Sequence, residues 1–297
     1  MQKTAIFSGI ATALITPMKD GAIDYPALDD IIDVQIASGI GAIVIAGTTG
    51  EGSALTDGER EELYLHAANA VCGRCPLILG TGSNDTVRAI AYTKLAERAG
   101  ADGALIVTPY YNKGCDEGIA RHYEKIAEST DIPIILYNVP SRTGVNLPLD
   151  VIKRLSENTH IVGIKEATDA LDRQIKLYSM RHRINVYSGN DTQIYLNLAL
   201  GGCGTVSVIS NLFPRSTADI YDLYKRGEYE AAFDIQSELL TMISLIFADT
   251  NPAPIKYAMS LCTLCEEEMR LPLYPIKNDL RIKIYREYKR LCAKGFR

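Results

Sequence analysis

A lysine closes one of the most apolar stretches of the chain, Ile161-Val162-Gly163-Ile164-Lys165-Glu166-Ala167. A lysine at the end of a buried strand loses water, which favours its neutral amine. A neutral amine is what adds to a carbonyl to form a Schiff base. The same side chain could instead carry its charge to solvent along an apolar surface, or pair with Glu166. The run alone balances these readings. Lys256, in Asn251-Pro252-Ala253-Pro254-Ile255-Lys256, is the competing amine, but it lies beyond the last apolar run. Gly47-Thr48-Thr49-Gly50-Glu51-Gly52 could aim backbone N–H groups at an anion, with two hydroxyls beside them. It lacks the Lys-Ser/Thr pair of a P-loop and reads equally well as a tight turn. Thr108-Pro109-Tyr110-Tyr111-Asn112 and Tyr137-Asn138-Val139-Pro140-Ser141-Arg142-Thr143-Gly144 follow or end two further apolar runs. Tyr111 and Tyr137, with Thr49 between them, could relay a proton from a carbinolamine to bulk water, or could simply cap the core. The four histidines, His66, His122, His160 and His182, end no apolar run. That argues against a metal-dependent aldolase or a Ser-His-Asp hydrolase.

Such side chains need a frame, and the apolar pattern supplies one. Runs recur at Ile10–Ile15, Ala42–Ala46, Pro76–Leu79, Ala104–Val107, Ile132–Tyr137, Ile161–Ile164, Ile184–Tyr187 and Thr205–Val208. Rich in Ile and Val and apolar on both faces, they read as buried parallel strands. The segments between them read as helices. Leu28, Ile31, Ile32 and Ile36 mark one apolar stripe, and Val87, Ala91 and Leu95 another. Thr56-Asp57-Gly58-Glu59 has capping-box spacing, and Gly39 and Gly100 stand where helices should stop. Eight β-then-α units without a linker predict an α/β fold, the closed (β/α)₈ TIM barrel of about 250 residues. The rival doubly wound sheet lacks a G-x-G-x-x-G after its first strand. The expected division is a barrel carrying the active site over 1–224 and a C-terminal helical region over 225–297. Leu239, Leu240, Ile243 and Ile246 give that region an apolar side to pack on the barrel or on a neighbouring subunit.

The totals exclude several classes. Of 297 residues, 47% are apolar and 23% charged, the balance of a globular enzyme. A net charge of −5 argues against a nucleic-acid binder, and the basic stretch Arg281–Arg297 reads as the solvated face of a last helix. No run of about 18 apolar residues predicts a membrane span. Met1-Gln2-Lys3-Thr4-Ala5-Ile6-Phe7 has no apolar signal core, so a cytoplasmic location is expected. Seven cysteines, an odd number, suit a reducing compartment. The pairs Cys72/Cys75 and Cys262/Cys265 lack the turn glycines of a zinc knuckle. They read as free, mostly buried thiols, the second pair on a helix, and no metal site is expected.

Taken together, Gly47–Glu51, Tyr110-Tyr111-Asn112, Tyr137–Gly144, Gly163-Ile164-Lys165-Glu166, Ser188-Gly189-Asn190-Asp191 and Gly201–Val208 resemble the dihydrodipicolinate synthase family in order and spacing. The likeness runs over nearly the whole chain, and the family belongs to the pyruvate-dependent class I aldolases. The resemblance implies Lys165 as the Schiff-base lysine, Tyr137 as general acid/base, and Thr49 and Tyr111 as relay members, Tyr111 across a subunit interface. It implies Thr48 and Thr49 on the pyruvate carboxylate, Arg142 on the carboxylate of L-aspartate 4-semialdehyde, and Gly189 and Val206 along the pyruvate pocket. It also implies a homotetramer, a dimer of dimers, and no cofactor beyond the lysine imine. N-acetylneuraminate lyases and sugar-acid aldolases share the lysine and tyrosine but typically lack the Ser-Arg-Thr-Gly run. Arg142 therefore favours the synthase branch. Ser53, Asp57, Arg60, Asn84, Arg88 and Tyr110 match the positions where lysine-inhibited members bind lysine. Histidines commonly stand at the Asp57 and Arg60 positions and an acid at that of Arg88. The changes predict weak lysine inhibition or none.

Overall fold

All eight apolar runs form parallel strands in a computed structural model that describes residues 3–297. Met1 and Gln2, where the N-terminal expectation begins, lie outside the described residues. The strands are β1 (Gly9–Ala13), β2 (Ala42–Ile45), β3 (Leu77–Gly80), β4 (Gly103–Val107), β5 (Ile134–Asn138), β6 (Ile161–Glu166), β7 (Asn185–Ser188) and β8 (Gly204–Ser207). Each pairs with the next, and β8 closes on β1 through Gly9↔Gly204 to Thr12↔Ser207. Period-2 alternation explains why the strands are apolar throughout. Ala42 and Val44 point into the barrel with Ala11, Ile135 and Val206, while Ile43 and Ile45 point out beneath the helices.

Helices α1 (Tyr25–Ala37), α2 (Asp57–Val71), α3 (Thr86–Arg98), α4 (Asp116–Ala127), α5 (Leu149–Leu155), α6 (Leu171–Tyr178), α7 (Ile194–Ala199) and α8 (Pro214–Lys225) follow the strands in turn. Thr56 caps α2 with its hydroxyl accepting from Glu59 N–H, and the Glu59 side chain accepts from Thr56 N–H, the predicted box. Gly39 and Gly100 have φ of +81° and +85°, the left-handed region that stops a helix at little cost to glycine. After α8 come α9 (Tyr229–Ile246), α10 (Ala253–Ser260) and α11 (Asn278–Ala293). Two arginines of α11 are engaged with acids: Arg290 pairs with Glu238 and Glu287, and Arg281 with Glu267.

Several expectations need correction. A hairpin of Met18–Lys19 with Ala22–Ile23 went unpredicted. The buried face of α3 is Ala89, Thr93, Leu95 and Ala96, whereas Val87 is 75% exposed and Ala91 is exposed. Small residues let the helix lie close on the barrel, and closeness outweighed the hydrophobicity of a valine in the first turn. On α9, Leu239, Ile243 and Ile246 are buried but Leu240 is 39% exposed. All seven cysteines are free, yet Cys72, Cys115 and Cys292 are exposed and the other four only partly buried. Cys262 and Cys265 lie past the end of α10, not on it. Burial pushes the Cys75 thiol up to about 11 and that of Cys265 to about 12, which keeps both protonated. Among the described residues no three His, Cys, Asp or Glu side chains gather as a metal site, and no helix is long and apolar enough to cross a membrane.

Candidate active site

The register of β6 decides the reading of its lysine. Ile164 points out of the barrel into the apolar layer under the helices, so Lys165 points in. Glu166 points out again and is held by Arg173 at 3.0 Å and by Asn138 Nδ2 at 2.8 Å. The Lys165–Glu166 pair therefore does not form. Lys165 is 5% exposed, and its Nζ stands 4.2 Å from the ring centroid of Tyr137, its register partner on β5. Lys256 is consumed elsewhere: it is fully buried, ion-paired with Glu51, and donates to the Glu268 carbonyl at 2.7 Å.

Lys165 ends in a cavity of about 160 Å³ at the carboxyl ends of the strands, lined in part by Thr48, Thr49, Tyr137, Arg142, Gly189 and Asn251. The glycine is required there. A Cβ on Gly189 would stand 2.9 Å from Lys165 Cε and from Ala167 Cβ. The turn after β2 closes with Gly52 N–H donating to the Gly47 carbonyl, and Glu51 takes φ +53°. The N–H groups of Thr48 and Thr49 donate to no protein acceptor among the described residues, which leaves them for an anion in the cavity. Thr49 is 3% exposed, and its hydroxyl oxygen accepts from Asn251 Nδ2 at 2.9 Å. Arg142 sits on the single turn Pro140–Thr143 at the cavity rim. Below the site, Asp191 accepts from Val208 N–H and Ile209 N–H at 3.0 Å each. Burial pushes its carboxyl up, opposed by those bonds, by the Ser207 hydroxyl and by the charge of Lys165.

A sequence profile of the Dihydrodipicolinate synthetase family matches residues 6–290. The chain belongs to this family. It is 42% identical over 279 residues to the 4-hydroxy-tetrahydrodipicolinate synthase of Clostridium novyi (strain NT), covering 93% of this chain and 94% of that one. The solved 4-hydroxy-tetrahydrodipicolinate synthase of Methylacidiphilum fumariolicum SolV superposes with a TM-score of 0.94 at 41% identity and 97% coverage of each chain. A monomeric dihydrodipicolinate synthase variant gives a TM-score of 0.94 at 36% identity over 98% of each.

Lys165, Tyr137, Thr49, Thr48, Arg142 and Gly189 thus meet in one cavity of a dihydrodipicolinate synthase-family barrel. Two expected members do not line it. Val206 packs in the apolar barrel interior at 1% exposure, and Val208 lines the cavity instead. Tyr111 is 89% exposed with φ +67°. It lies beyond the end of β4, on the loop before α4. The six remaining positions, Ser53, Asp57, Arg60, Asn84, Arg88 and Tyr110, line a second cleft of about 570 Å³ that shares Thr48, Tyr137 and Arg142 with the first. Arg60 does not pair with Asp57. Buried at 5% exposure, it donates to the Gly52 and Gly80 carbonyls and the Tyr64 hydroxyl and lies 4.1 Å over the Tyr92 ring. Asp57 accepts from the Tyr92 hydroxyl at 2.6 Å. Phe247, Asn251 and Asp191 were not singled out from the sequence. Asp191 lies in the Ser188–Asp191 motif and Asn251 opens the run that ends in Lys256, but neither Asn251 nor Phe247, both from the C-terminal region, carries a local signal of a place in the cavity. None of the histidines lines this cavity: burial pushes His122 down to about 4, and His66 pairs with Asp29 at 2.7 Å.

Proposed function

We propose that this chain is a 4-hydroxy-tetrahydrodipicolinate synthase, a lysine-imine lyase that condenses pyruvate with L-aspartate 4-semialdehyde in diaminopimelate and lysine biosynthesis. The carrying observation is Lys165, buried against the Tyr137 ring, free of Glu166, in a cavity rimmed by Arg142. In this reading Lys165 Nζ attacks the keto carbon of pyruvate, water leaves, and the free N–H groups and hydroxyls of Thr48 and Thr49 hold the carboxylate. Loss of a methyl proton gives an enamine, the protonated imine serving as electron sink. The enamine carbon attacks the aldehyde, whose oxygen takes a proton from the Tyr137–Thr49 relay. The substrate amine then attacks the imine carbon. That addition gives a gem-diamine, the added nitrogen passes a proton to Nζ, and its lone pair then expels the Lys165 amine as the cyclic imine forms and leaves.

Arg142 suits the semialdehyde carboxylate because a planar guanidinium can hold it with two parallel bonds. Tyr111 enters the relay only from another chain, so the reading includes a homotetramer in which its exposed ring is used. Seven free cysteines support a reducing, cytoplasmic compartment. Borohydride added with pyruvate should fix a mass increment on the peptide carrying Lys165, and Lys165→Ala should abolish it. An adduct on Lys256, or none, would overturn the assignment.

A further inference from the structure

The cavity of Lys165 is closed on one side by a residue from outside the barrel. Asn251, between α9 and α10, is 5% exposed, and its Nδ2 donates to Thr49 Oγ1 at 2.9 Å. Its main-chain carbonyl faces the guanidinium of Arg142, whose Nη2 donates across 3.5 Å. Its Oδ1 is buried and accepts from no donor among the described residues. A buried amide oxygen without a donor is costly and calls for a partner that arrives later.

The cavity lining holds two basic side chains, Lys165 and Arg142, and no Asp or Glu. An amino-acid aldehyde carries its carboxylate and its amine on one carbon. With the carboxylate on Arg142, the amine falls within a few ångströms of that guanidinium, beside Asn251. We propose that Asn251 Oδ1 accepts a hydrogen from the α-amino group of the aldehyde substrate, so that Asn251 selects an amino aldehyde over its deaminated counterpart. This rests on the reading of the site given above.

An amide serves here where a carboxylate fails. The amine must become neutral before its nitrogen can bond to the imine carbon and displace Lys165 Nζ. A carboxylate in contact would hold it as ammonium, with no free lone pair. Oδ1 takes one N–H and leaves the lone pair for attack. The bond from Nδ2 to Thr49 turns the other end of the amide, Oδ1, away from the hydroxyl.

The test compares Asn251→Leu and Asn251→Asp in the whole enzyme, both close to asparagine in shape. The readouts are KM and kcat for aspartate 4-semialdehyde across pH, inhibition of the pyruvate-loaded enzyme by 4-oxobutanoate, and borohydride trapping of pyruvate. Asn251→Leu should raise KM for the amino aldehyde about tenfold, the loss of one hydrogen bond to a polar substrate group, and leave 4-oxobutanoate inhibition unchanged. Asn251→Asp should keep KM but lower kcat at neutral pH, with the kcat profile moved to higher pH. Equal weakening toward both aldehydes would mean that Asn251 acts only through Thr49 or Arg142 and would overturn the proposal. So would an unshifted pH profile in Asn251→Asp, which carries the test if the leucine variant fails to fold. Loss of trapping in the variants alone also overturns it, whereas no trapping in the wild type sinks the underlying reading instead.

Discussion

Replacing Lys256 by methionine separates the two buried lysines and measures what ties the C-terminal region to the active-site turn. The Lys256 and Glu51 side chains are both 0% exposed and ion-paired. Burial pulls the Lys256 ammonium down, and the charge of Glu51 opposes that. Glu51 also accepts from Arg270 N–H at 3.0 Å, and it stands two residues after Thr49 on the same turn. Lys256→Met keeps the stem's volume but leaves a buried carboxylate without a counter-charge and the Glu268 carbonyl without its donor. Breaking one side of such a pair costs about 3–5 kcal/mol, against at most about 1 kcal/mol for an exposed pair. For a domain of this size that is a fall in Tm of roughly 5–8 °C. Glu51→Gln in the Lys256→Met background removes the stranded charge and should restore most of the loss. Denaturant melts of the four proteins of this cycle, with borohydride trapping at 25 °C, make the assay. A single-variant cost near that of a surface pair would refute the burial argument. Lost trapping in folded Lys256→Met would return Lys256 to the chemistry.

Three further outcomes are expected. If Tyr111 works across an interface, activity should fall in step with dissociation on dilution, and sedimentation of a fully active single chain would remove both claims. Free lysine should inhibit weakly or not at all, because its two ammonium groups would meet Arg60 and Arg88 in the second cleft. Each contact at about 4 Å is worth about 4 kcal/mol at an effective dielectric near 20. Half-inhibition well below the millimolar range would show that the cleft has been misread. Glu59 is held down to about 2 by hydrogen bonds from Arg270 and the Thr56 N–H. A depressed carboxyl stabilises the fold above its unfolded value of 4.5 and loses that contribution as pH falls toward 2. Acid melts of Glu59→Gln should therefore be flatter than wild type over that window, and parallel curves would refute the coupling.

What could be read from the residues depended on whether the signal was local. Eight strands were legible because each is a short β-branched run buried on both faces, and the caps at Thr56, Gly39 and Gly100 because their chemistry is contained in one turn. The two-residue strands of the Met18–Ile23 hairpin are too short for a period to show. Hydrophobicity misplaces the α3 face, because contact with the barrel selects Ala89, Thr93 and Ala96 by size. The Lys165 ambiguity was in fact soluble from alternation: if Ile164 faces out, Lys165 faces in and Glu166 cannot reach it. Asn251 is different in kind. It lies 202 residues from Thr49, and asparagine before proline reads as an ordinary loop. Only the closure of α9 and α10 over the barrel brings its amide to the hydroxyl. The C-terminal region is thus more than a buttress, since Phe247 and Asn251 supply part of the wall of the Lys165 cavity. Tyr111 carries the same logic one level further. An aromatic ring 89% exposed on a left-handed backbone residue gains nothing from its own chain. In the reading proposed here its use comes from a second copy, so neither periodicity within one sequence nor packing within one barrel could have brought it to the site.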